Sequence, residues 1–96
     1  MVHVKIEGNK GAAIWMVDGN KMGEMTFSLS ASIMIIDHTE VDPSLKGQGV
    51  GLKLWHAALD YARNENLKIV PLCPFAYKMF QRHPETHDLL SGGALN

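Results

Sequence analysis

Lys46-Gly47-Gln48-Gly49-Val50-Gly51 is the stretch whose reading decides the fold. An extended apolar run, Ile33–Val41, comes before it, and a helical run over residues 52–64 comes after it. Three alternate glycines at the mouth of a helix leave backbone N–H groups uncovered by side chains. Those amides and the positive end of the helix dipole form an anion site suited to a phosphate or pyrophosphate. Glycine is also free to take positive φ where the turn needs it. The spacing excludes the two commonest phosphate loops. A dinucleotide fingerprint needs glycine three residues after Gly49, where Leu52 stands. A Walker loop needs Gly-Lys-Ser/Thr at residues 52–54, where Leu52-Lys53-Leu54 stands. The competing reading of the six residues is a Gly-rich helix start that holds no ligand.

Working outward, the chain has 96 residues, the size of one small domain. Residues 1–90 are expected to form that domain and residues 91–96 a flexible tail. Hydrophobic residues make up 46%, ordinary for a globular chain. Nine basic and 10 acidic residues give a net charge of −1 with no basic patch, which argues against nucleic acid as a partner. No apolar run approaches the roughly 18–20 residues that span a bilayer, so no membrane partner is expected. Residues 1–7 alternate polar and apolar and do not read as a signal peptide. The one cysteine, Cys73, excludes an internal disulfide and fits a reducing, cytoplasmic location.

Periodicity places the elements. Val2, Val4 and Ile6 alternate with polar residues as a half-buried first strand. Residues 12–17 form a second, broken by the turn Asp18-Gly19-Asn20. Met25, Phe27 and Leu29 mark a third strand, and Ile33–Val41 a fourth, more buried one. The helix after the glycines carries Leu54, Ala58, Tyr61 and Ala62 on one side, widened by Leu52, Trp55 and Leu59. Residues 68–73 read as a fifth strand interrupted by Pro71. A short helix over 75–82 follows, led by Pro74 and ended by Pro84. The expected fold class is α/β with a mixed sheet: antiparallel strands one to four, a crossover helix, a parallel fifth strand and a short C-terminal helix.

K-G-Q-G-V-G resembles the R/Q-x-x-G-x-G/A loop of the Gcn5-related N-acetyltransferases, with Lys46 where that family has Arg or Gln. Lysine keeps the charge and loses the fork geometry. His38-Thr39-Glu40-Val41, Ala57-Ala58-Leu59-Asp60-Tyr61-Ala62, Pro71-Leu72-Cys73-Pro74-Phe75 and Arg82-His83-Pro84-Glu85 occur in the order of the small YjdJ-type subfamily. The resemblance implies a truncated version of the family fold, without its first helices, and acetyl-CoA as co-substrate. It implies that Lys46, Gly47, Gln48, Gly49, Val50 and Gly51 grip the coenzyme pyrophosphate, with the amides of Gln48 to Gly51 as cradle. Backbone groups near Glu40 and Val41 would pair with the pantetheine arm in a gap between strands four and five.

Acyl transfer from a thioester needs a cradle, a group that polarises the carbonyl, a base for the acceptor and an acid for the thiolate. His38 and Glu40 share one face of strand four, and either could be the base; the alternative is a pair of solvated polar residues. Cys73 precedes a helix start, where thiolate is favoured and a covalent acetyl-cysteine becomes feasible; the alternative is a small buried hydrophobe. By resemblance Tyr77 would protonate the thiolate, or it packs with Phe75 and Phe80. Lys78 adds charge near the coenzyme phosphates or is solvated. His83 and His87 are four apart, but Pro84 breaks a shared helix and no third ligand follows, so no metal is expected. The expected function is acetyl transfer from acetyl-CoA to an amine, on a small molecule or a protein. A non-catalytic acyl-CoA-binding module and a ligand-free structural domain are the alternatives.

Overall fold

The computed structural model describes residues 1–92. One five-stranded sheet runs in the order β1 (Val2–Glu7), β2 (Lys10–Val17), β3 (Asn20–Ser30), β4 (Ile33–Val41) and β5 (Lys68–Pro71). The first four strands are antiparallel, and β5 lies parallel to β4. Helix α1 (Val50–Asn64) makes the crossover, and α2 (Pro74–Arg82) follows β5. Both helices join one face of the sheet in a single core, so the molecule has two layers, 38 × 30 × 18 Å overall. Among the described residues no helix is long and apolar enough to cross a membrane.

The expected mixed α/β architecture is present, and its boundaries differ for physical reasons. The β2–β3 turn has Asp18 at φ 49 and Gly19 at φ 80, the paired positive φ that suits a tight hairpin. Strand β3 extends beyond the alternating residues because its backbone pairs along β2 and β4 whatever its side chains are. Strand β5 stops at Pro71, two residues early. The N–H groups of Leu72 and Cys73 both donate to Ile36 O, at 2.9 and 3.0 Å, and the ladder cannot continue. Beyond Pro84 the chain forms a 3-10 turn, Pro84–Leu89, that the sequence reading did not foresee. Leu90 then bridges Ile69, and Ser91 N–H donates to Ile69 O at 2.9 Å. Of the expected tail, residues 93–96 lie outside the described residues.

A bulge in β4 decides which side chains face the helices. Phe27 pairs Ile36 and Thr26 pairs His38, so Asp37 is an extra residue. Its carboxylate accepts from Thr26 Oγ1 at 2.5 Å and Ser28 Oγ at 3.3 Å. Before the bulge, Met34 and Ile36 are buried under the helices. After it the parity reverses, and Thr39 and Val41 face the helix side while His38 and Glu40 turn away.

The core centres on Trp55 of α1, fully buried, with its ring 5.3 Å edge-on from Phe80 of α2. Its Nε1 has no hydrogen-bond partner among the described residues. Trp55→Ala is expected to cost about 3–5 kcal/mol of stability. Trp55→Phe should cost clearly less, because the phenyl ring fills much of the space that alanine leaves empty. Urea unfolding followed by circular dichroism measures both; equal losses would show that the cavity left by the side chain does not set the cost.

Candidate active site

The chain leaves β4 through a tight turn. Asp42 Oδ1 accepts from Ser44 N–H at 2.9 Å and caps the 3-10 turn Pro43–Leu45. That backbone hydrogen bond holds the Asp42 carboxyl below its usual range. Gly47 at φ 84 and Gly49 at φ 71 then reverse the chain, and Gly49 becomes the N-cap of α1. No side chain caps this helix, and its first turn holds no acid. The first amides of a helix have no intrahelical acceptor, so they point outward with the positive end of the dipole.

The three glycines have different duties. A Cβ on Gly47 or Gly49 would meet nothing within 4 Å, so the space above them is open and glycine is needed for its positive φ. A Cβ on Gly51 would lie 2.7 Å from the Phe75 ring, so Gly51 lets α2 approach α1. The turn thus takes positive φ at Gly47 and Gly49, and Gly51 serves packing. One of the four amides expected to form a cradle is already engaged. Gln48 N–H donates to Leu45 O at 3.1 Å inside the loop, which leaves Gly49, Val50 and Gly51 to present amides.

A cleft of about 560 Å³ opens beside this helix start. It exists because the β4–β5 ladder ends at Ile36 and Pro71 while β4 runs on to Val41. Thr39 and Val41 form its inner wall, and Leu45, Lys46 and the helix start form one side. Phe75, Met79 and Arg82, one stripe of α2 at helical spacing, form the other side, with His83 at the end.

Of the residues expected to bind the coenzyme, Val41, Lys46, Gly47, Gly49, Val50 and Gly51 line this cleft; Gln48 and Lys78 do not. His38 and Glu40 do share a face, with Nε2 and Oε2 3.4 Å apart, but it is the face opposite the cleft. Their side chains are 61% and 73% exposed. Glu40 borders a separate hollow of about 310 Å³ with Glu24 and Asp42. Cys73 is buried at the N-cap of α2, its Sγ 3.1 Å from Thr39 Oγ1, and so sits one side chain behind the cleft wall. Tyr77 is half-buried and Lys78 exposed, both on α2 outside the lining. His83 stacks on Trp55 at 5.2 Å and its Nδ1 lies 3.2 Å from Glu85 Oε2, whereas His87 Nε2 lies 2.6 Å from Phe80 O. The two histidines thus turn to separate partners. Sequence reasoning missed Thr39, Phe75, Met79, Arg82 and His83 as wall residues. The i, i+4, i+7 spacing of 75, 79 and 82 was the available signal, but it reads equally as a core stripe.

A mixed sheet that parts beside an uncapped, glycine-led helix defines an α/β protein with an open cleft at the start of its crossover helix. Residues 13–89 match the model of the GCN5-related N-acetyl-transferase family. The chain belongs to that family. It is similar to a GCN5-like protein from Staphylococcus aureus assigned as an N-acetyltransferase: 35% identity over 94% of this chain and 88% of that one, TM-score 0.69. The fold is also shared with ribosomal-protein-alanine N-acetyltransferase from Brucella melitensis, at 23% identity, 79% of this chain, 62% of that one and TM-score 0.67. Aminoglycoside N-acetyltransferase AAC(6′)-Iy, solved with coenzyme A, gives 18% identity, 83% and 68% coverage and TM-score 0.58. No curated protein matches the chain.

The glycine geometry is testable without a ligand. Gly51→Ala should lower stability by about 1–3 kcal/mol through overpacking against Phe75. Adding Phe75→Ala should return much of that loss, a coupling that thermal unfolding of the two single variants and the double variant reads directly.

Proposed function

We propose that this chain, as one domain over residues 1–90, is a small acetyltransferase that binds acetyl-CoA in the cleft and passes the acetyl group to an amine. The observation that carries the reading is the uncapped start of α1, with open space above Gly47 and Gly49, at the mouth of a cleft walled by the β4 edge. The amides of Gly49, Val50 and Gly51 receive the pyrophosphate, and Lys46 at the rim adds charge. The edge of β4 near Val41, which no β5 residue pairs among the described residues, takes the pantetheine arm. Two similar structures support this choice of ligand: AAC(6′)-Iy was solved with coenzyme A and with a coenzyme A–acetylneamine bisubstrate analogue.

In the proposed reaction the amine nitrogen attacks the thioester carbonyl, the C–N bond forms and the C–S bond breaks. A backbone amide on the β4 edge stabilises the oxyanion. The amine approaches through the gap from the far face of β4, where Glu40 or His38 takes its proton. Tyr77 returns a proton to the thiolate. A covalent route through Cys73 is the other course: its thiol displaces coenzyme A thiol and holds the acetyl group until an amine removes it. The exposed, cleft-averted position of His38 and Glu40 favours one second reading, an acyl-CoA-binding module without turnover.

Calorimetry with acetyl-CoA and turnover on a panel of polyamine, amino-acid and peptide amines test the proposal. Gly49→Val should weaken acetyl-CoA binding about tenfold or more while the protein stays folded, since it both strains the positive φ at this residue and crowds the phosphate position. Glu40→Gln or His38→Ala, whichever is the base, should cut turnover by about 10²–10⁴ with coenzyme affinity unchanged. Intact-mass measurement after incubation with acetyl-CoA should show one acetyl group, absent in Cys73→Ala, only if the covalent route operates. Binding without turnover on any amine would establish the module; no binding would end both readings.

A further inference from the structure

The cations of this chain are unevenly satisfied. Lys5, Lys21 and Arg63 form ion pairs, Lys10 and Lys68 donate to oxygens, and Lys53 lies over the Trp15 ring. Among the described residues, the three of the nine without such a partner are Lys46, Lys78 and Arg82. Two of them, Lys46 and Arg82, line the cleft, and Lys78, outside the lining, is one turn before Arg82 on α2. Like charges four apart on a helix repel, and α2 contains no acid to offset them. Such an arrangement is stabilised by a bound anion.

Its position is separate from the pyrophosphate cradle. Phe75 touches the start of α1, and Arg82 lies seven residues further along α2, about 10 Å at 1.5 Å per residue. A second anionic group, beyond the first along the same ligand, is what this spacing fits. Resting on the coenzyme reading above, we propose that Arg82, assisted by Lys78, reads the ribose 3′-phosphate of coenzyme A. The cleft then selects the 3′-phosphorylated coenzyme over its dephospho form. A phosphomonoester carries up to two negative charges near neutral pH and offers oxygens that match the guanidinium fork. His83 has its own carboxylate partner, Glu85 Oε2 at 3.2 Å from Nδ1, so Arg82 carries the discrimination.

The test is calorimetric titration of coenzyme A and 3′-dephospho-coenzyme A into the wild-type chain, Arg82→Gln, Arg82→Lys and Lys78→Gln at one ionic strength. The wild-type chain should prefer coenzyme A about tenfold or more. Arg82→Gln should abolish most of that preference by weakening coenzyme A alone, with dephospho-coenzyme A bound as before. Arg82→Lys should keep part of it, and Lys78→Gln should reduce it. Arg82 is exposed and has no partner among the described residues, so circular dichroism should show the variants folded; if Arg82→Gln is not, Lys78→Gln decides. An equal loss for both ligands in the Gln variants, or no loss, overturns the inference. Equal wild-type affinity for the two ligands overturns it while leaving the coenzyme reading intact, whereas binding of neither ends both.

Discussion

The parting of β4 from β5 is the constraint on which the rest depends. Parallel pairing ends where Ile36 O takes both the Leu72 and the Cys73 N–H, and two donors on one carbonyl close the ladder. Five more residues of β4 continue without β5, stabilised only by antiparallel pairing with β3. The backbone polar groups on that free edge need partners. A pantetheine arm offers amides of matching chemistry, so the end of the sheet and the proposed ligand solve one problem together.

Two further features make the gap usable. The Asp37 bulge turns Thr39 and Val41 toward the helices, so a hydroxyl and an aliphatic wall the cleft in place of two titratable side chains. Gly51 then lets Phe75 reach the first turn of α1, which sets how far α2 stands from the loop. Trp55 packs edge-on against Phe80 and beneath His83, so the far end of the same wall is anchored in the core. The strand and α2 walls of the cleft are therefore set by regular elements packed in the core, and only the side over residues 45–49 is loop.

The two faces of the sheet differ in consequence. One is covered by both helices and carries the core. The other, with His38, Glu40 and Glu24, has no helix over it among the described residues. In the proposed reaction the coenzyme occupies one face and the amine arrives from the other, meeting where the strands part. An uncovered acceptor face imposes little shape on the amine, and the acidic groups on it favour a cationic one by charge alone.

Much of this was determined by the sequence alone. The alternations at Val2, Val4 and Ile6 and at Met25, Phe27 and Leu29, and the amphipathic run after Gly51, depend on local period, and local period is legible residue by residue. The glycine loop was legible too, since alternate glycines before a helix have few other uses. The family followed from four motifs in order. Tertiary structure decided the rest. The bulge at Asp37 arises from register with β3, and no property of residues 33–41 in isolation shifts the parity by one. Gly49 and Gly51 look alike in sequence; only the positive φ of one and the Phe75 ring against the other separate them. Gln48 N–H turns to a carbonyl three residues back, and Arg82 reaches the cleft wall because α2 packs along α1, with Phe75 at Gly51 and Phe80 at Trp55. Each of these turns on which distant atom stands within a few ångströms, and packing alone sets that.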